Sequence, residues 1–207
     1  MARYTGPVCR ICRRYGEKLM LKGDKCVNKC TLDKRPSPPG DRPARRRKLS
    51  DRALQLREKQ KARYSYGVLE KQFVAYYKDA VRMPGVTGEN LVRLLEMRLD
   101  NVVHRGGFAD SLKQARQLVR HGHIGLNGRK TDVPSAATKA GDVIAWTEGG
   151  RKSEYFKFAQ ENIASKHIPG WLNVERAAMS ARIVSAPEMG EAGAKFDPAV
   201  IVEYYSR

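Results

Sequence analysis

Residues 95–135 read LEMRLDNVVHRGGFADSLKQARQLVRHGHIGLNGRKTDVPS, and their pattern decides the fold class. Asp110 or Ser111 can cap a helix in which Leu112, Ala115, Leu118 and Val119 share one face. That helix runs to about His121 and is stopped by Gly122. Its other face carries Lys113, Arg116 and Arg120, a spacing that lines up three cations where a phosphate backbone can run alongside. Directly afterwards, Asn127-Gly128 stands between His123-Ile124-Gly125-Leu126 and Lys130-Thr131-Asp132-Val133, a two-residue hairpin signal. A further strand over Asp142 to Trp146 follows Gly141. Helices followed by a short antiparallel sheet predict an α+β chain.

Outward from this stretch, Ser50 is placed to cap a helix through about Arg63, and Val68 to Val81 reads as a second, with Leu69, Phe73, Tyr76 and Tyr77 as its apolar stripe. Thr87 caps a third, in which Leu91, Leu94, Leu95 and Leu99 recur at helical spacing. Beyond the hairpin, Glu154 to Ser165 reads as helix, Trp171 to Arg176 and Met179 to Ala186 as two strands joined by a short turn, and Pro198 to Tyr205 as a terminal helix. Residues 1–50 show neither period. Pro36, Pro38, Pro39, Gly40 and Pro43 interrupt regular structure there, so an extended basic arm is expected. The resulting division is an arm over 1–48, a helical domain over 49–97 joined by a terminal helix over 197–207, and a helix-and-hairpin module with a small sheet over 98–196.

Charge gives the class of partner. The 207 residues hold 40 Lys and Arg against 22 Asp and Glu, a net charge of +18. The excess is uneven: residues 1–50 have 15 basic and 4 acidic side chains, whereas residues 147–207 have 8 of each. A basic excess gathered at one end marks a polyanion-binding face, because each phosphate that a Lys or Arg neutralises releases condensed counterions. No apolar run is long enough to span a bilayer, and the stretch from Met1 to Tyr15 is too polar for a signal peptide, so a cytosolic nucleic-acid binder is expected and no membrane partner. The cations expected at the RNA are Arg3, Arg10, Arg13, Arg14, Lys22, Arg42, Arg45, Arg46, Arg47 and Lys48 in the arm, then Arg57, Lys59 and Arg63, and later Lys113, Arg116, Arg120 and Lys130.

All four cysteines fall early, as Cys9-x2-Cys12-x13-Cys26-x3-Cys30. Two close pairs joined by a short loop suit one tetrahedral metal ion. Zinc is the expected, structural metal, because four thiolates would leave no open position for chemistry; an iron–sulfur cluster is the alternative, and disulfides fit a cytosolic chain poorly.

At this point the residues resemble a known family. The stretch 95–135 is similar to the RNA-binding module, the alpha-L motif, of bacterial small-subunit ribosomal protein four. ARYTGPVCRICRR (2–14), LKGDKC (21–26) and RPSPPG (35–40) resemble the arm of its zinc-bearing form. LREKQKARYSYGVLEKQF (56–73), IPGWL (168–172) and VIVEYYSR (200–207) resemble its helical domain and closing segments. The resemblance implies a primary binder of 16S rRNA that nucleates assembly of the 5′ domain and contacts ribosomal protein five. It also implies a place beside the channel through which mRNA enters, with a part in translational accuracy, and no stand-alone homo-oligomer. By position, it places Arg98, Asp100 and Asn101 on the module's first helix, Ser111, Arg116, Gln117, Arg120, His121 and His123 on the second helix and turn, and Asn127, Gly128 and Arg129 in the hairpin. The arginines at 45–47 match the part of the arm that approaches rRNA and message. His104, Gly106 and Lys113 depart from the family's Tyr, Leu and Arg.

Two rival classes are weighed. An RNA-modifying or tRNA-charging enzyme would need a separate catalytic domain, and no P-loop, dinucleotide fingerprint or nucleophile–base pairing is found. His104, His121, His123 and His167 read as RNA-contacting or structural groups. A DNA-binding zinc regulator would want a recognition helix and commonly a dimer.

Overall fold

The computed structural model describes residues 4–41, 48–191, 193 and 195–206. Two compact units result: Met1–Val92 with Ala194–Arg207, and Arg93–Gly193.

The first unit opens with three short helices, α1 (Cys9–Tyr15), α2 (Asp24–Asn28) and α3 (Thr31–Lys34). This corrects the expectation of a wholly extended arm. Val8 with Cys12, and Ile11 with Tyr15, are four residues apart, so α1 has an apolar face that buries with Leu19 as a small cluster of its own. Gly16, at φ 69°, ends the helix in the left-handed region that only glycine enters freely. Three longer helices follow, α4 (Asp51–Ser65), α5 (Glu70–Arg82) and α6 (Thr87–Glu96), the last turn of α6 from Arg93 onward belonging to the second unit. The Ser50 hydroxyl caps α4 by accepting from the Ala53 N–H. The last helix of the chain, α11 (Pro198–Tyr205), packs on α4, with Tyr205 against Phe73 and Tyr77 of α5.

In the second unit the helix expected to continue through Leu99 breaks at Met97-Arg98. Arg98 is extended and bridges to Ala137, while the Met97 carbonyl accepts both the Thr138 N–H and its hydroxyl, so a new helix, α7 (Leu99–Arg105), starts in another direction. It packs against α8 (Leu112–Arg120), capped by Ser111, whose hydroxyl accepts from the Gln114 N–H. The strands β1 (Ile124–Leu126), β2 (Arg129–Lys130), β3 (Val143–Trp146), β4 (Leu172–Glu175) and β5 (Ser180–Ile183) make one antiparallel sheet in the order β2-β1-β3-β5-β4. A short helix α9 (Glu148–Arg151), which the sequence did not suggest, and α10 (Glu154–Asn162), extended by a 3-10 turn at Ile163–Ser165, connect β3 to β4.

The core of this unit joins Leu99, Val102 and Val103 of α7, Ala115, Leu118 and Val119 of α8, and Ile124, Ile144, Trp146, Ala181 and Ile183 from the sheet. Strand alternation explains the last group: every second residue of β3 and β5 faces the helices. Two helices are thereby fixed on a small sheet, and the polar face of α8 is turned outward.

Candidate nucleic-acid interface

The outward arc of α8 consists of Lys113, Gln117 and Arg120, followed at its C-cap by His121, all exposed. Arg116 does not belong to it. At about 100° per residue it sits roughly 60° from Lys113, on the flank nearest the buried side. From there its Nη1 donates to Asp100 Oδ2 at 3.0 Å, and only 11% of the side chain is exposed. The expected stripe of three cations is a face of two, with a glutamine between them.

Arg98 and Asn101, expected at the RNA, are also turned inward. Arg98 is 1% exposed and grips Asp100, through Nε to Oδ1 at 3.1 Å and Nη2 to Oδ2 at 2.9 Å. Asp100 therefore binds two guanidinium groups in a site that water barely reaches, an arrangement in which pairing offsets the desolvation of each charge. Asn101 donates to the Glu96 carboxylate at 2.6 Å and to the Glu96 backbone carbonyl at 3.0 Å. The fully buried Glu96 also receives both arms of Arg105, at 3.0 and 2.7 Å. Sequence reasoning missed Glu96, since a lone acid in a basic chain carries no signal; Glu96 anchors Asn101 and Arg105 of α7, and Asp100 ties α7 to Arg116 of α8.

The hairpin extends the basic face. Asn127 and Gly128 both have positive φ, 50° and 77°, which twists the two-residue turn to suit the strands. Asn127 is exposed as a residue, yet its amide is engaged: Nδ2 donates to Asp142 at 2.9 Å and Oδ1 accepts the Val143 N–H at 2.8 Å. It locks β1 to the start of β3. Arg129 and Lys130 are exposed. The Lys130 side chain lies over Gly122, close enough that a Cβ there would collide with it, and Gly122 itself is at φ 71°. The rings of His121 and His123 are 6.0 Å apart. Partial burial, then the neighbouring His121 and Lys130, hold His123 below the ordinary histidine range. Arg120 and His121 at the end of α8, with His123 and Lys130, thus bring two cations and two imidazoles to the place where the helix meets the hairpin.

In the first unit the helical cations are largely structural. Arg57 donates to the Tyr15 carbonyl, Lys59 is 4% exposed and donates to Glu70 at 2.6 Å, and Arg63 lies over the Tyr64 ring. Arg57 and Lys59, expected at the RNA, instead hold α4 to α1 and α5, and Arg63, also expected there, lies 3.9 Å from Glu70 of α5. Arg13 is tied through Nε to the Ser37 carbonyl at 2.9 Å, pinning the proline-rich segment to α1. Arg10, Arg14, Lys22 and Lys48 are exposed. Arg3, Arg42, Arg45, Arg46 and Arg47 lie outside the described residues.

The four thiols sit on α1 (Cys9, Cys12), in α2 (Cys26) and at the residue before α3 (Cys30). Burial raises the Cys12 thiol above its ordinary value, against a backbone hydrogen bond from Leu19 that lowers it. Cys26, Cys9 and Cys30 push it up further. Among the described residues no three His, Cys, Asp or Glu side chains converge as a coordination group. Nor, among them, is any helix long and apolar enough to cross a membrane.

Comparison with known proteins agrees with this layout. Residues 3–96 match the ribosomal protein S4/S9 N-terminal domain, and residues 97–144 match the S4 domain. The chain is 54% identical, over the full length of both proteins, to small ribosomal subunit protein uS4 of Dehalococcoides mccartyi. It is 50% identical to uS4 of Pelotomaculum thermopropionicum and to uS4A of Symbiobacterium thermophilum, again over the whole of each chain. With two domain matches in sequence order and half or more of its residues shared with full-length relatives, the chain belongs to the uS4 family of small ribosomal subunit proteins.

Proposed function

We propose that the chain is a structural constituent of the small ribosomal subunit, not an enzyme, and that it binds 16S rRNA directly as part of the cytoplasmic ribosome. The observation that carries this reading is the basic, imidazole-bearing corner of the S4 domain. Lys113, Gln117 and Arg120 on α8 lead into His121, His123, Arg129 and Lys130, all held by a rigid two-helix, one-sheet frame. Point charges spaced along a helix and hairpin grip phosphates, and amide and imidazole groups add directional hydrogen bonds. The experiment is a filter-binding comparison of folded 16S 5′-domain RNA with duplex DNA at matched salt. Preference for the RNA by tenfold or more is expected, and equal affinity would refute the reading.

Three finer roles belong to the same proposal. Arg45, Arg46 and Arg47, beside Lys48, supply a run of guanidinium groups suited to incoming mRNA. Ribosomal protein five is the protein partner that the family resemblance implies. Cys9, Cys12, Cys26 and Cys30 would hold one structural zinc. Two thiols from one helix and one each from the next two segments form a soft donor set of the kind that a structural zinc ion takes. The ion would link α1, α2 and the start of α3, segments whose shared apolar cluster is small.

A further inference from the structure

A cavity of about 340 Å³ opens in the first unit, where Tyr4, Arg10, Ile11, Arg14, Tyr15 and Tyr64 are among its lining residues. Its chemistry is sorted by the helical period. On α1, Ile11 and Tyr15 are buried one turn apart and form an apolar floor, while Arg10 and Arg14, also one turn apart, are exposed at the rim. The wall is aromatic: the Tyr4 and Tyr64 rings meet edge to face at 5.5 Å, and Tyr15 lies 6.4 Å from Tyr64. Behind Tyr64 the guanidinium of Arg63 stands 4.3 Å from the ring centroid. No lining residue is acidic.

An occupant must therefore be anionic, flat on one side, and small, since the volume is at the lower end of the roughly 300–1,000 Å³ usual for ligand sites. A single nucleotide has this character: a planar base for the tyrosines and a phosphate for the arginines. We infer that this cleft receives one unpaired nucleotide of the bound RNA, its base against Tyr4 and Tyr64 and its flanking phosphates on Arg10 and Arg14. The inference rests on the RNA-binding reading above and adds a second contact site, on the first unit, of a different kind. The corner on the S4 domain reads backbone; this cleft captures a base swung out of the helix. Stacking on an aromatic ring tolerates any base, so the cleft selects for the presence of an unpaired nucleotide at a given place in the RNA fold more than for its identity.

The test uses the full-length protein and a transcript of the 16S 5′ domain. Tyr64→Leu keeps apolar bulk and removes the ring; Tyr64→Phe keeps the ring. Loss of one stacked base is expected to weaken binding about tenfold in Tyr64→Leu, with Tyr64→Phe within about twofold of wild type. Because Tyr64 packs beside Tyr15, the exposed pair Arg10→Gln with Arg14→Gln provides a variant that leaves the fold alone. Its binding should weaken, and the slope of log affinity against log salt should shrink by about 2. Ultraviolet cross-linking of the wild-type complex, read by mass spectrometry, should place a nucleotide adduct on the peptide holding Tyr4 or Tyr64. Wild-type binding with unaltered affinity in Tyr64→Leu, an unchanged salt slope in the arginine pair, or adducts confined to the S4 domain would overturn the cleft and leave the ribosomal reading standing. Failure of the wild-type protein to bind the transcript would instead remove the ribosomal reading itself.

Discussion

Replacing Asp100 by asparagine isolates the part of the module that most departs from a surface-binding picture. Asp100 is 1% exposed and accepts from Arg98 at 3.1 and 2.9 Å and from Arg116 at 3.0 Å. Asparagine keeps the shape and one acceptor oxygen but removes the carboxylate charge that the guanidinium of Arg98, itself 1% exposed, grips. Arg116, at 11% exposure, can swing toward water; Arg98 cannot. Breaking a buried pair from one side costs about 3–5 kcal/mol, and retention of the isostere places Asp100→Asn near the lower end. For a unit of about 100 residues each kcal/mol lowers the midpoint by about 4–8 °C, so a fall on the order of 10–20 °C is expected for the second unit. Thermal unfolding followed by circular dichroism measures it, with urea titration to confirm that the m-value is unchanged. Asp100→Asn combined with Arg98→Met removes both charges of the buried pair and should recover at least half of the loss. A midpoint within about 2 °C of wild type for the single variant, or no recovery in the double, would show that Asp100 is not the electrostatic centre of the module.

The binding face responds differently. Lys113→Glu with Arg120→Glu should weaken binding to the 5′-domain transcript by tenfold or more and reduce the salt slope by about 2, whereas Arg116→Gln should leave the slope unchanged, as filter binding across a salt series will show. Stability should also fall on acidification. Burial holds both His104 and His123 below the ordinary range, the His104 ring being further opposed by Arg105 and helped by Glu96 and a bond to the Ala109 carbonyl. The unfolded chain then binds more protons than the folded one, so stability is full well above pH 6.5 and declines as pH drops through that value; urea midpoints at pH 7.5 and 5.5 should differ, and less so in His104→Gln. Asn127→Ala breaks the tie to Asp142 and Val143 and should cost about 1–2 kcal/mol in chemical denaturation. Addition of zinc to protein prepared without metal should raise the midpoint of the first unit, and Cys26→Ser should abolish the rise.

How much of this was legible in the sequence varies by element for physical reasons. The hairpin was, because Asn-Gly admits few alternatives to a tight turn with positive φ, and β1 and β2 pair around it. The amphipathic face of α8 was, because four apolar residues at helical spacing leave one way to bury them. The short helix α1 was not: at 7 residues it spans too little chain for periodicity to stand out among prolines and glycines. The break before Leu99 was hidden because it depends on Thr138 and Ala136, about forty residues away, capturing the backbone. Cations were legible as a class but not in role. Nothing local distinguishes Lys22, which is exposed, from Lys59, which is buried against Glu70; the difference is made by the elements that pack around each one.

That sorting of cations has a practical consequence for handling the molecule. Ions in molar salt confine electrostatic influence to about 3 Å in water, which strips phosphates from exposed lysines and arginines, yet they hardly enter a site as closed as that around Asp100. Copurifying RNA can therefore be washed off under conditions in which the S4 domain stays folded, and the clean protein should rebind its RNA on simple dilution, with no refolding step.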